Sequence, residues 1–193
     1  WPVFAFLREN TRFSPGGAAA LMVGAMFLVV GLPFALAAPT SRGEVEALTA
    51  FSIACSLRRG VTMAVEHLHA PACVEDALHV QARVAERLGI RLLNAHSSSS
   101  AVAESPGPAQ VEANARYASA KKADPLVRSA IGVRASFCAD DDLLRLAGRI
   151  KEELSIGAHF GLAENDDDLA ITWSKTNLRI VTRFERFGLL GGA

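Results

Sequence analysis

An excess of charge is the first thing this sequence lacks. Twenty Lys and Arg residues stand against twenty Asp and Glu, a formal net charge of zero at pH 7. That leaves no electrostatic case for a nucleic-acid partner. Cysteine is also scarce: Cys55, Cys73 and Cys138 are odd in number, widely spaced, and form no Cys-x-x-Cys pair. Neither a disulfide framework nor a thiolate zinc knuckle is supported, and a reducing, cytoplasmic setting is expected. An initiating methionine is absent too. The chain opens on Trp1, and Leu189 to Ala193 follow a helical pattern at the point where a new strand would start. The expectation is a portion of a longer chain.

Charge is missing altogether between Arg12 and Arg42, and Gly17 to Ala38 is almost wholly apolar. A membrane-spanning helix needs roughly 20 such residues. Length and the flanking arginines favour a span. The central Gly31-Leu32-Pro33, the Ala-rich tail and the lack of an aromatic belt oppose it. Ala35-Leu36-Ala37-Ala38 also resembles a small-residue cleavage site of a signal peptide. A barrel segment covered on all sides would be equally apolar. The expected organisation is therefore an apolar segment at 1–43, buried or, through 16–39, in a membrane, followed by a regular portion at 44–193.

That portion alternates. Helical patterns at 44–58, 74–88 and 111–121 interleave with strand patterns at 61–65 and 90–95. A polar loop is expected at 96–108. A strand at 130–137, a helix at 141–154 and a strand at 156–163 follow, then helical turns over 166–187 broken around 175–177. Basic residues and glycine close the first helix at Arg58-Arg59-Gly60, and Gly89 stops the second. Units of about 30 residues that alternate strand and helix predict an α/β fold with a parallel sheet, and the spacing fits a (β/α)8 TIM-barrel-like architecture. In the stretch 133–164, Asp140, Asp141 and Asp142 supply a cap and first-turn acids. Leu143, Leu144, Leu146, Ile150 and Leu154 form the helical stripe. Chemistry in such folds lies past the carboxyl ends of the strands, where Arg134 to Cys138 and His159 to Glu164 fall.

The segments GVTMAVEHLHAP, LGIRLLNAH, EANARY, IGVRASF, GAHFGLAEN and LRIVTRFERFGLLGGA occur in that order. Together they resemble the metal-dependent amidohydrolase superfamily, in its aminohydrolase/chlorohydrolase branch, which includes selenium-metabolism-associated aminohydrolases and guanine and triazine deaminases. The resemblance runs from about Glu44 to Ala193. It implies barrel strands two to five with their helices, and hydrolysis of C–N or C–Cl bonds with one divalent metal and an activated water. The family places a His-x-His after the first strand, a His after the fifth, a His after the sixth and an Asp after the eighth. A Glu three residues past the fifth-strand His shuttles the proton, and a fourth-strand His contacts substrate.

Carried onto this chain, Glu164 takes the proton-shuttle position and His159 the first, non-ligand His of the fifth-strand motif. Gly161 stands where the metal ligand would be, and Arg134 where the substrate His would be. No His-x-His precedes Glu44. The one such pair, His67-Leu68-His69, belongs by its flanks to the second strand. Residues i and i+2 of a strand share a face, so the two imidazoles are the candidate metal ligands; the plain alternative is loop histidines bonded to neighbours and water. Arg134 and His159 are candidate substrate-binding residues and Glu164 the candidate catalytic one. Arg134 either binds an anion or pairs with Glu164. His96 opens the Ser-rich loop and is placed to reach the barrel mouth, His79 is a surface or packing residue, and Cys138 lacks an activating partner.

The expected function is that of a degenerate, non-catalytic amidohydrolase-like barrel portion, a structural or partner-binding subunit for which no cofactor is expected. A protein partner or homodimer mate would cover its open sheet edges. One alternative is a metal-dependent aminohydrolase or deaminase acting on C–N bonds of a small ring or amide substrate, seen as an incomplete chain and using zinc or iron. The other is a membrane-anchored complex subunit.

Overall fold

The computed structural model of the chain describes residues 41–70, 73–101 and 106–191. The expected apolar segment 16–39 lies outside them. Among the described residues no helix is long and apolar enough to cross a membrane.

Helix α1 (Arg42–Arg58) begins on a capping box. The Ser41 hydroxyl accepts from the Glu44 N–H at 3.3 Å, and the Glu44 carboxylate accepts from the Ser41 N–H at 3.2 Å. Two orphan donors are satisfied at once, which starts the helix two residues ahead of the expected position. Strand β1 (Met63–Leu68) follows. It lies later than the predicted 61–65, so His67 is inside the strand. Helix α2 (Val74–Leu88) ends on Gly89 in the left-handed conformation, and β2 (Arg91–His96) takes the chain back into the sheet. Helix α3 (Gly107–Ala120) begins inside the predicted 96–108 loop. Pro108 is tolerated in its first turn because the N–H it lacks has no helical partner there.

A short strand not expected from the sequence, β3 (Val127–Ser129), comes first; the predicted strand 130–137 is β4 (Ile131–Ala135), and its last two residues turn into a 3-10 helix at Ser136–Cys138. Helix α4 (Asp141–Leu154) is capped by Asp140, whose Oδ1 accepts from the Leu143 N–H at 2.8 Å. Strand β5 (Ala158–Gly161) is the central part of the predicted 156–163. The helical turns beyond divide as expected into α5 (Asp166–Thr176) and α6 (Ile180–Arg186), with Asn177 left-handed between them.

All strand pairs are parallel. β1 pairs with β2 and β2 with β3; β4 pairs with β5. The two ladders join where β2 runs on past its end. Ser98 bridges Val133, and the Arg134 N–H donates to the Ser98 carbonyl at 2.9 Å. Helices and parallel strands thus form part of a (β/α) barrel, and among the described residues the sheet does not close.

Alternate residues divide the sheet's faces. Ala64, Leu68, Leu92 and Val127 pack into one apolar cluster with α1, α2 and Tyr117. Ile131, Val133 and Phe160 pack into a second with α4 and α6, where Phe160 stacks on Phe184. On the other face Met63 and Val65 remain about half exposed.

Three polar residues of α3 are buried where a plain amphipathic helix would be apolar. The Asn114 Oδ1 accepts from the N–H groups of His96 and Gly132, both at 3.1 Å, and its Nδ2 donates to the Ser129 hydroxyl at 3.1 Å. Gln110 accepts from the Ser99 N–H and donates to the Ser99 carbonyl, both at 3.2 Å. The Tyr117 hydroxyl accepts from Asn94 Nδ2 at 3.2 Å, and burial pushes its ionisation up to about 12. One helix therefore holds the ends of β2, β3 and β4 through its side chains.

Helix α4 meets the end of α6 at Gly148, where an added Cβ would lie 1.8 Å from the Phe187 carbonyl oxygen. Gly→Ala inside a helix ordinarily stabilises by about 0.5–1 kcal/mol. Here the sign reverses. Gly148→Ala is expected to destabilise by about 1–3 kcal/mol in chemical denaturation, as overpacking does. Gly157→Ala, with nothing near its Cβ, should stay within about 0.5 kcal/mol of the parent.

Candidate functional site at the carboxyl ends of the strands

The end of β1 carries His67 and, one residue beyond it, His69; β2 ends on His96, β4 carries Arg134 and β5 His159. Parallel pairing puts all of these at the same end of the sheet. The Arg134 Nη1 lies 3.4 Å from His69 Nε2, and His69 Nδ1 lies 3.4 Å from the Ser97 carbonyl oxygen. A carbonyl only accepts and a guanidinium only donates, so these two long contacts fix the neutral tautomer with hydrogen on Nδ1. Burial and then the Arg134 charge lower the His69 pKa. Arg134 therefore pairs with an imidazole. The anticipated ion pair with Glu164 is not formed.

His67 meets His159 edge to face, ring centroids 4.8 Å apart. Its Nε2 is buried without a hydrogen-bond partner. Burial, then the neighbouring His159, His69 and Arg134, lower its pKa to about 4. His96 is fully buried and does not reach the mouth, which corrects the expectation. Its Nε2 accepts from the Ala70 N–H at 3.3 Å, leaving the hydrogen on an unpartnered Nδ1, and burial lowers its pKa to about 4. His79 stacks edge-on against Tyr117 at 4.9 Å, a packing role.

The turn after β5 sets the position of Glu164. Ala163 is left-handed, with φ of 52°, which costs a non-glycine residue about 1–2 kcal/mol. Asp168 holds it there: the buried carboxylate accepts from the Ala163 N–H at 3.0 Å through Oδ2 and from the Thr172 hydroxyl at 3.4 Å through Oδ1. A Cβ on Gly161 would lie 2.5 Å from Glu164 Oε1 and 2.6 Å from the Arg134 carbonyl oxygen. The exposed Glu164 carboxylate thus packs against the bare Cα of Gly161. The Arg134 backbone carbonyl favours glycine at 161 by close approach, and a ligand side chain there needs β4 to shift and the Glu164 side chain to turn away.

Cys138 is half-buried, and burial raises its pKa, so the thiol is not activated. Behind the 3-10 turn, buried Arg183 donates from Nη1 to the Ser136 carbonyl at 2.5 Å, and from Nη2 to the Ala139 carbonyl at 2.8 Å and Asp141 at 2.7 Å. Asn114, Asp168 and Arg183 were not singled out in the sequence. For Asn114 a signal exists: Gln110, Asn114 and Tyr117 recur at helical spacing on the face that should be apolar. For Asp168 and Arg183, within a run of acids and a basic helix, none does.

Among the described residues the donor set does not fit a divalent metal. All five histidines of the chain are among the described residues. The His69 Nε2 lone pair faces Arg134, Gly161 offers no donor, and His96 uses Nε2 on a backbone N–H. His67 Nε2 is the available nitrogen, with His159 beside it. Among the described residues no group of three or more His, Cys, Asp or Glu could hold a metal ion, whereas a zinc site takes at least three protein ligands.

No protein-family model matches the chain, and no curated protein matches it. Solved structures do. An adenosine deaminase from Xanthomonas campestris with bound zinc superimposes at TM-score 0.73 and 21% identity, over 86% of this chain and 37% of its own. A guanine deaminase from C. acetobutylicum with bound guanine gives 0.70 and 16%, over 79% and 37%. A triazine hydrolase from Arthrobacter aurescens gives 0.68 and 15%, over 89% and 40%. At these identities the likeness is one of fold, that of the amidohydrolase-type barrel the sequence resembles. The chain spans well under half the length of each.

The buried neutral histidines predict acid lability. Their folded pKa values lie below the ordinary 6.5, so as pH falls the unfolded chain takes up protons first and stability drops between about pH 6.5 and 4. His96 alone should account for up to about 3 kcal/mol of that loss. In urea melts at pH 7 and 4.5, His96→Gln is expected to shrink the difference between the two pH values. An unchanged difference would show that His96 is not held neutral.

Proposed function

We propose that this chain is a non-catalytic portion of an amidohydrolase-type barrel that acts by binding a protein partner or a second copy. The observation that carries this reading is the geometry at Gly161. The Glu164 carboxylate and the Arg134 carbonyl occupy the space from which a fifth-strand ligand would project. The Arg134 guanidinium over His69 supports it further, because it blocks the ligating nitrogen and sets a positive charge where a cation would bind. The exposed Met63 and Val65, and the outer edges of β1 and β5, unpaired among the described residues, support a covering partner.

A second reading has its own support. The fold neighbours are deaminases and a hydrolase, and the adenosine deaminase has zinc bound. Glu164 also stands just past β5, where the resemblance puts the proton-shuttling carboxylate. In that reading the chain is part of a metal-dependent hydrolase acting on C–N bonds of a small ring or amide, and its metal ligands come from outside the described residues.

Zinc titration by calorimetry separates the two. The non-catalytic reading expects no stoichiometric zinc binding by the parent protein. It expects weak binding to appear in Arg134→Ala, where His69 Nε2 joins His67, and destabilisation without metal affinity in Gly161→His. One equivalent of tightly bound zinc in the parent would overturn it. In sizing, the parent is expected as a dimer or a larger assembly, and a monodisperse monomer would count against the covering copy.

A further inference from the structure

A cavity of about 600 Å³ lies between the 3-10 turn at 136–138, Ser100, α5 and α6. That volume is within the range of small-molecule sites. Neither Arg134, Glu164 nor any of the histidines lines it, so it is separate from the cluster at the strand ends.

Its charges are unevenly satisfied. Two carboxylates line it, and both are committed. Asp140 caps α4 through the Leu143 N–H at 2.8 Å, and Asp141 receives Arg183 Nη2 at 2.7 Å. Arg183 is likewise committed. Its side chain is almost fully buried, and its Nη groups are spent on Asp141, on the Ser136 and Ala139 carbonyls and on the Ser136 hydroxyl; only its buried Nε lacks a partner. Two further cations on the wall have no acidic partner among the described residues. Lys175 Nζ has one contact, to the Phe137 carbonyl at 3.4 Å, and Arg186 makes no hydrogen bond or ion pair among the described residues. Ser100 accepts from the Asp140 N–H at 3.2 Å, which leaves its own hydrogen to donate. The partly exposed Phe137 ring adds apolar surface to the same wall.

We infer that this cavity binds a small organic oxyanion. Its carboxylate or phosphate is held by Lys175 and Arg186 with the Ser100 hydroxyl donating, and its apolar part lies against Phe137. The chemistry follows from the donors: an ammonium supplies a point charge, a guanidinium a planar fork that matches a carboxylate or phosphate, and a hydroxyl one further hydrogen. The buried Arg183 holds the backbone of the 3-10 turn through the Ser136 and Ala139 carbonyls, and the exposed Lys175 and Arg186 side chains become ordered on binding. The inference shares no residue with the proposed loss of the metal site, and the two stand or fall separately.

The test is calorimetric titration of the whole chain with inorganic phosphate and, separately, with benzoate. Saturable binding of at least one is expected, weakened about tenfold or more in the double variant Lys175→Gln/Arg186→Gln. Tighter phosphate binding assigns a phosphorylated ligand, and tighter benzoate binding an aromatic carboxylate. Both substituted side chains are exposed, and the circular dichroism spectrum and melting temperature of the variant should match the parent's. Absence of saturable binding for both probes would overturn the inference. So would binding that survives the double substitution, or that falls equally in Arg149→Gln on the exposed face of α4.

Discussion

The side-chain amide of Asn114 is the constraint on which the mouth of this sheet depends. Its oxygen takes N–H groups from the end of β2 and from β4 at once, and its nitrogen reaches β3. The two strands come so close there that a Cβ on Gly132 would lie 1.9 Å from the His96 carbonyl oxygen. A buried amide with its hydrogen bonds filled is worth far more than its net contribution to stability suggests, because removing it leaves several buried groups unpaired. Here it also fixes register. Arg134 reaches His69 because β4 is pinned beside the continuation of β2.

The same close approach recurs one strand further on, with a different outcome. At Gly161 the neighbouring β4 carbonyl and the returning Glu164 carboxylate fill the space a side chain would need. Asp168 stabilises that return by holding Ala163 in an unfavourable conformation. The barrel scaffold is thus kept with well-satisfied polar joints, while among the described residues His69 Nε2 faces Arg134, His96 Nε2 takes a backbone N–H and Gly161 offers no donor. Four histidines gather at one end of the sheet, yet burial, helped by neighbouring imidazoles and, at His67 and His69, by the Arg134 charge, holds at least three of them toward the neutral form without bringing their nitrogens into a common ligand set among the described residues.

Much of the fold was legible from periodicity and punctuation. Gly89, the Asp140 cap and the break at Asn177 are local signals, and each acts in the structure as local physics requires. What local signals miss is distance. Pro108 looked like loop but sits in the first turn of α3, and 136–137 looked like strand but coils into a 3-10 turn that Arg183 holds from far along the chain. Arg134 and Glu164, opposite in charge and both near strand ends, suggested an ion pair, yet Glu164 settles on Gly161 and Arg134 on His69. In the sequence Gly161 reads as a ligand lost. In three dimensions it is a glycine against which the Arg134 carbonyl packs, with the Glu164 carboxylate filling the remaining space.

The central claim is that the donors of this segment do not assemble a metal centre, and anomalous diffraction at the zinc edge from crystals grown with excess zinc tests it most directly. The account predicts no zinc peak within coordination distance of His67, His69 or His159. A fully occupied zinc bound by His67 and His69, with Arg134 swung away, would contradict it.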